Sequence, residues 1–210
     1  MFVPTIYIEN FNNNTSVEVS DKKLHHLSQV LRLRDGDKVN ISDGKGLVSY
    51  GNFINNYVEI KNSTMHQRQN SLKIFVPYLR ERSRFRFLIE KLTELNVNEI
   101  HIGMTKNTQN TNYSKSKIKE WLVSALEQSG SAYLPELFFP ENINFNDFTT
   151  CFDISGKTFD KNAKKLNNFA IGPEGGWTDK ELSKFQHKIK ISEFSLRTET
   201  AAITAVSLMM

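Results

Sequence analysis

Two kinds of hydrophobic pattern divide the chain. Up to about residue 62, apolar and polar residues alternate in short runs, as in Val17-Glu18-Val19, Lys38-Val39-Asn40-Ile41-Ser42 and Tyr57-Val58-Glu59-Ile60. A period of two puts successive side chains on opposite faces, so these runs predict short strands. Asp35-Gly36 and Asp43-Gly44 supply hairpin turns between them. One stretch has a different period: Leu24, Leu27, Val30 and Leu31 form one apolar face of a helix that Asp21 is placed to cap. A small barrel with a helical plug satisfies this pattern. Residues 62–71 are polar and aperiodic and predict a linker, which divides the chain into domains 1–70 and 71–210.

From Leu72 the period changes. Leu72-Lys73-Ile74-Phe75-Val76 predicts a strand, and Phe85, Leu88, Leu92 and Leu95 mark the stripe of a helix. Asn96 stands where a helix commonly ends in the left-handed conformation. Glu99 to Met104 predicts the next strand, and Ile118, Trp121, Leu122 and Ala125 a helix that stops near Gly130. Further strands are expected at Thr150 to Ile154, Phe169 to Ile171 and Ile189 to Phe194. Strands alternating with helices imply an α/β domain with a mostly parallel sheet. There is no internal repeat, and the asparagine-rich patches at 10–14 and 142–146 read as loops.

The most informative chemistry lies in two turns near the C-terminus. The run Asn168-Phe169-Ala170-Ile171 reads as a buried strand and leads into Gly172-Pro173-Glu174-Gly175-Gly176-Trp177. Thr178-Asp179-Lys180-Glu181 then has the spacing of a capping box that starts a helix. Three glycines within five residues imply backbone in close approach to something. The plan repeats downstream: a strand from Ile189 to Leu196, the polar turn Arg197-Thr198-Glu199-Thr200, and a small-residue helix from Ala201 to Met210. Neighbouring strand-to-helix turns at the C-terminal ends of strands are where open α/β sheets bind ligands.

Composition narrows the picture. At 210 residues, 39% hydrophobic and 24% charged, the chain is globular, and 15 Phe against 2 Trp predict a core built largely on phenylalanine. The lone cysteine, Cys151, excludes an intramolecular disulfide and fits a reducing cytosol. The first residues show neither a basic leader nor a long apolar run, so no signal peptide or membrane span is expected. A net charge of +4 permits a polyanionic partner. Basic clusters occur at Arg32, Arg34 and Lys38; at Arg80, Arg82, Arg84 and Arg86; and at Lys115, Lys117 and Lys119. Four arginines on alternate positions leading into a helix suit phosphate contact. Other signals fail. Ser155-Gly156-Lys157-Thr158 lacks the first glycine of a phosphate loop, because that position is Cys151. No nucleophile elbow and no dinucleotide fingerprint is present. The histidines show no ligand spacing, so no metal is expected.

Taken together these segments carry a resemblance. Gly172-Pro173-Glu174-Gly175-Gly176-Trp177 and Leu196-Arg197-Thr198-Glu199-Thr200-Ala201 resemble the signatures of the SPOUT methyltransferases that modify N3 of a uridine in bacterial small-subunit (16S) ribosomal RNA, the RsmE family. So do His25-His26-Leu27 with Val30-Leu31-Arg32, then Gly36-Asp37, Asp43-Gly44-Lys45-Gly46, Lys91-Leu92-Thr93-Glu94-Leu95-Asn96-Val97 and Glu127-Gln128-Ser129. The resemblance implies a PUA-like β-barrel joined to a SPOUT domain with a C-terminal trefoil knot, working in the cytoplasm as a homodimer on the small ribosomal subunit. It implies S-adenosylmethionine in the knot, bound by main-chain groups around Gly172, Gly176, Ile191 and Leu196, with Ile171, Pro173, Gly175 and Thr200 completing the set. Arg197 would stabilise charge developing on the uracil oxygens or fix a phosphate, and Glu199 or Glu174 would orient the base or take its proton. For each of these, a turn-stabilising ion pair or a helix cap is the competing reading. Arg32, Arg34, Arg84 and Lys91 would meet RNA. Because N3 lies on the pairing edge, the target base must be unpaired or flipped out.

The sequence departs from the family pattern at Ser131, where an arginine is usual, at Asn96, where glycine is usual, and at Glu193-Phe194-Ser195, which lacks a Leu-Gly pair. Two alternatives follow: an RNA-binding or ribosome-assembly protein without catalysis, and a SPOUT methyltransferase for another RNA. The intact Gly-Pro-Glu-Gly-Gly and Arg-Thr-Glu-Thr turns argue against the first, since a pure binder has no need of both.

Overall fold

The computed structural model describes residues 3–11, 15–30, 32–68, 71–109, 111, 113–160 and 166–210. Leu31, expected on the apolar face of the first helix, and residues 69–70 of the expected linker lie outside this set, as do 12–14 of the first asparagine patch. The chain forms two compact units, Met1–Gln69 with Val123–Leu134, and Asn70–Leu122 with Pro135–Met210.

In the first unit, strands β1 (Thr5–Tyr7), β2 (Ser16–Glu18), β3 (Lys38–Ser42), β4 (Leu47–Ile54) and β5 (Tyr57–Met65) form a curled half-barrel in the order β1-β3-β4-β5-β2. Only the β1–β3 pair is parallel. Helix α1 (Asp21–His25) runs into a π-helical turn, His26–Val30, and Leu27 joins Ile6, Val19, Val39, Ile41, Phe53 and Val58 in the core. Two expectations are corrected. Residues 62–65 are strand, not linker, because β4 supplies a pairing partner out to Met65 opposite Leu47. Asp35-Gly36 precedes β3 and closes no hairpin; the β4–β5 hairpin instead turns at Asn55-Asn56, with Asn55 at φ 54°. Asparagine tolerates that left-handed conformation, so two adjacent asparagines did the work expected of a glycine. Strands β1 and β4 were not anticipated at all. The segment 123–134 completes the unit: the Tyr7 amide donates to Glu127 Oε1 at 2.9 Å, and the Gly46 amide to the Ala132 carbonyl at 2.9 Å. Ser131 belongs to this segment, where its carbonyl accepts from the Ser42 hydroxyl at 3.1 Å.

From residue 70 the chain alternates strands and helices: β6 (Lys73–Pro77), α2 (Arg82–Glu94), β7 (Glu99–Gly103), α3 (Lys115–Ser129, which from Val123 belongs to the first unit), β8 (Glu136–Phe138), β9 (Thr150–Thr158), β10 (Asn168–Ile171), α4 (Asp179–Leu182), β11 (His187–Lys190) and α5 (Thr198–Met209). The sheet runs β11-β9-β10-β6-β7-β8 and every pair is parallel. Phe75, Phe85, Phe148 and Phe169 are fully buried, as the phenylalanine count implied. Helix α2 buries Phe85, Leu88, Ile89 and Leu92 and ends at Asn96, φ 54°. There the Val97 amide reaches the Leu92 carbonyl at 3.1 Å and the Asn96 amide the Thr93 carbonyl at 2.9 Å, a Schellman ending.

Three boundaries shift in ways that shape the site. Strand β9 continues through Ser155-Gly156-Lys157-Thr158, so this segment is sheet and not a phosphate loop. A Cβ on Gly156 would lie 2.4 Å from the Lys188 carbonyl carbon, so only glycine allows β11 to approach. Strand β11 stops at Lys190, and the expected strand residues 191–196 form an irregular loop. Helix α5 starts at Thr198 rather than Ala201, which turns the polar turn into the first turn of the helix.

Candidate active site

The C-terminal ends of β10 and β11 open onto a cleft of about 210 Å3 in the second unit. Ile171, Gly172, Pro173 and Gly176 line it from the first turn, and Ile191 and Leu196 from the second. Sequence reasoning missed Phe152 and Ile154 on β9 and the exposed Phe194, which also line it. None of the three belongs to a motif: Phe152 and Ile154 lie within strand β9 and Phe194 in the loop after β11. Two residues assigned to the cofactor are not in the lining. Thr200 is exposed on α5, and Gly175 packs on Asn107. The Asn107 amide donates to the Gly175 and Gly176 carbonyls at 3.2 and 3.0 Å, holding the turn from behind.

The glycines serve different ends. A Cβ on Gly172 would sit 2.9 Å from Trp177 Nε1, so this glycine makes room for the indole of its own turn. Gly176 takes φ 71°, which glycine adopts at little cost. Trp177 is 8% exposed and its ring meets Phe185 at 4.9 Å, which fixes the turn to the core. The capping box is formed: Thr178 Oγ1 accepts from the Glu181 amide at 3.3 Å, and Glu181 Oε2 accepts from the Thr178 amide at 2.9 Å. Glu181 also accepts from the Lys106 amide at 2.9 Å. Burial pushes its carboxyl up, but these hydrogen bonds outweigh it and hold the group below the usual range.

The two turns are tied together. Thr198 Oγ1 donates to the Gly172 carbonyl at 3.0 Å. Arg84 on α2 forks onto Glu199, with Nε to Oε1 at 2.9 Å and Nη2 to Oε2 at 2.6 Å, and its third nitrogen, Nη1, reaches Glu174. Burial raises the Glu199 carboxyl, yet the Arg84 bonds prevail and it stays below the usual range; the same contacts raise Arg84. Arg84, expected on RNA phosphate, is therefore held by two carboxylates. Glu199 has both oxygens on Arg84 and does not line the cleft, whereas Glu174 does. Arg197, the residue before α5, is exposed and makes no ion pair among the described residues.

Of the other basic residues assigned to RNA, Arg32 and Arg34 are exposed on the first unit, Arg32 at φ 55°. Lys91 pairs with Glu94 at 2.8 Å. Burial pushes the Cys151 thiol up to about 12, so it is an inert core group. No group of potential metal ligands occurs among the described residues, and none of their helices is long and apolar enough to cross a membrane.

The sequence pattern of the RNA methyltransferase domain family matches residues 66–210, which include the whole cleft. The chain belongs to this family. The RNA methyltransferase PUA domain pattern also matches residues 19–48, within the half-barrel. Relatives extend along nearly the whole chain. Ribosomal RNA small subunit methyltransferase E of Buchnera aphidicola is 28% identical over 98% of this chain and 94% of its own length. Ribosomal RNA small subunit methyltransferase E 2 of Borreliella burgdorferi is 26% identical over 95% and 93%. Among solved structures, ribosomal RNA small subunit methyltransferase E from Neisseria gonorrhoeae, bound to S-adenosyl methionine, superposes with a TM-score of 0.83 at 24% identity, covering 99% of this chain and 97% of that one. A predicted RNA methyltransferase from Thermotoga maritima gives 0.76 at 26% identity, covering 98% and 96%. The α/β fold of this family member, half-barrel followed by parallel sheet, is the one those structures share.

Proposed function

We propose that this methyltransferase modifies small-subunit ribosomal RNA, with S-adenosylmethionine as donor and N3 of a uridine as acceptor, in the cytoplasm. The observation that carries the reading is the cleft, where both signature turns meet at parallel strand ends and are hydrogen-bonded to each other. The names of the relatives support the RNA substrate, and the Neisseria structure supports the cofactor. The cleft fits a flat, cationic ligand. Ile171, Ile189, Ile191 and Leu196 provide apolar walls, and the lining also includes two carboxylates, Asp153 and Glu174, and one ammonium, Lys190, itself held by Glu193 at 3.0 Å. Ile171, Gly172, Pro173, Gly176, Ile191 and Leu196 would hold the cofactor.

When bound, S-adenosylmethionine supplies an electrophilic methyl group. The chain has then to present N3 in line with that methyl and remove its proton, and most of the acceleration comes from orientation. Glu174 lines the cleft and keeps one carboxylate edge beyond Arg84, so it is the residue to orient the base and accept the proton. Glu199 acts at one remove by fixing Arg84. Arg197, exposed beside the second turn, would stabilise negative charge on the uracil oxygens. The C-terminal knot and the homodimer belong to the same proposal; a sheet order that sets β9 between β10 and β11 supports a chain that doubles back on itself.

Titration calorimetry with S-adenosylhomocysteine tests the cofactor directly. Saturable binding, weakened in Gly172→Ala because the indole of Trp177 must move, is expected. A folded protein that takes up no cofactor would point to an RNA binder without catalysis.

A further inference from the structure

The arginine run at the start of α2 separates into two pairs. Arg84 is held by Glu174 and Glu199, and Arg86 Nε donates to Glu90 Oε1 at 2.6 Å. Arg80 and Arg82 have no ion pair among the described residues. Both line an open pocket of about 560 Å3 together with Glu81, Gln109 and Glu174.

Each group facing this pocket has a definable state. The Glu81 carboxylate accepts from the Ser83 hydroxyl, and the Glu174 carboxylate from Arg84. The guanidinium of Arg82 lies 5.9 Å from the centre of the Trp121 ring, which limits its rotamers. The hydroxyl of Tyr113 reaches the carbonyls of Leu79 and Arg80 at 3.0 Å each, which fixes the backbone under Arg80. The two acidic groups thus accept hydrogen bonds, and neither basic group pairs with a carboxylate among the described residues. Gln109 adds an amide that both donates and accepts, the complement of a uracil edge. The volume is within the range of nucleotide-sized sites. Glu174 belongs to both cavities, lining this pocket and the cofactor cleft.

We propose that this pocket receives the target nucleotide of the RNA. Arg80 and Arg82 contact its phosphate, Gln109 meets the base, and Glu174, which lines both cavities, meets the edge of the base turned toward the cofactor. The assignment rests on the methyltransferase reading above. It moves the phosphate contact from Arg84, which is neutralised, to the two arginines that are not.

The test is steady-state methyl transfer from S-adenosylmethionine to a small-subunit ribosomal RNA transcript. It compares the native protein with Arg80→Ala, Arg82→Ala, Arg82→Lys and Gln109→Ala, and takes Arg86→Ala as a control outside the pocket. Arg80→Ala and Arg82→Ala should raise KM for RNA about tenfold and reduce the slope of log KM against log salt by about one, because each removes one phosphate contact. Arg82→Lys should restore the salt slope. Cofactor affinity, read by calorimetry, should stay within about twofold in all of them, which shows that the fold survives. Native KM and native salt slope in both alanine variants, with methyl transfer intact, would overturn the pocket and leave the methyltransferase reading standing. A native protein that binds no cofactor and methylates no small-subunit RNA would overturn both.

Discussion

Arg84 joins three parts of the site through one guanidinium, and nothing near it in the chain announces this. Its partner Glu199 is 115 residues away, and Glu174 is 90. A run of alternating arginines reads locally as a phosphate-binding face; only the packing of α2 beside α5 sets Arg84 apart from Arg80 and Arg82, while Arg86 pairs within α2 with Glu90. Removing a largely buried partner leaves the carboxylate uncompensated, so Arg84→Met should lower stability by about 2–4 kcal/mol in urea denaturation. Glu199 carries the pH dependence of this contact. A carboxyl held below its unfolded pKa stabilises the fold above that value, and the contribution is lost as pH falls through the folded value. Stability should therefore decline below about pH 4.3. The decline should be shallower in Glu199→Gln, although Glu99 and Glu181, also held below the usual range, keep part of it. A decline of equal depth in native and variant protein would show that Arg84 does not hold Glu199 in solution.

The elements divide by how local their causes are. The capping box at Thr178 and the left-handed ending at Asn96 were readable, because each depends on residues three or four apart. Asn96 also has a buried Oδ1 with no hydrogen-bond partner among the described residues. Asn96→Gly, which keeps the backbone angle and removes that atom, should raise stability by about 0.5–1.5 kcal/mol, and Asn96→Ala should lower it by about 1 kcal/mol. Loss of stability in the glycine variant would mean that Oδ1 has a partner in solution. The extension of β5 over 62–65 and of β9 over 155–158 was not readable, since both segments are polar and are strands only because a neighbour pairs with them. Gly156→Ala should separate β9 from β11 and cost about 3 kcal/mol or more, measured by thermal unfolding, with loss of cofactor binding as the adjoining cleft deforms.

For the whole molecule, the change of hydrophobic period near residue 72 foretold an all-β part followed by a parallel α/β part, and the signature turns foretold where the cleft would be. The composition of the cleft was only half legible: Ile171, Gly172, Pro173, Gly176, Ile191 and Leu196 were, while Phe152 and Ile154 within β9 and Phe194 in a loop belong to no motif. A ligand that binds the folded state alone adds stability as the logarithm of its concentration over its Kd, so S-adenosylmethionine at about 100 times its Kd should add about 2.7 kcal/mol to unfolding. The most direct test is to incubate the protein with labelled S-adenosylmethionine and small-subunit ribosomal RNA that lacks the modification, digest the RNA to nucleosides, and identify the labelled one by mass spectrometry. The expected product is 3-methyluridine, from one position, with none formed by Glu174→Gln at a comparable rate. Label in a ribose methyl or in another base, or none from a protein that binds the cofactor, would contradict the proposed reaction.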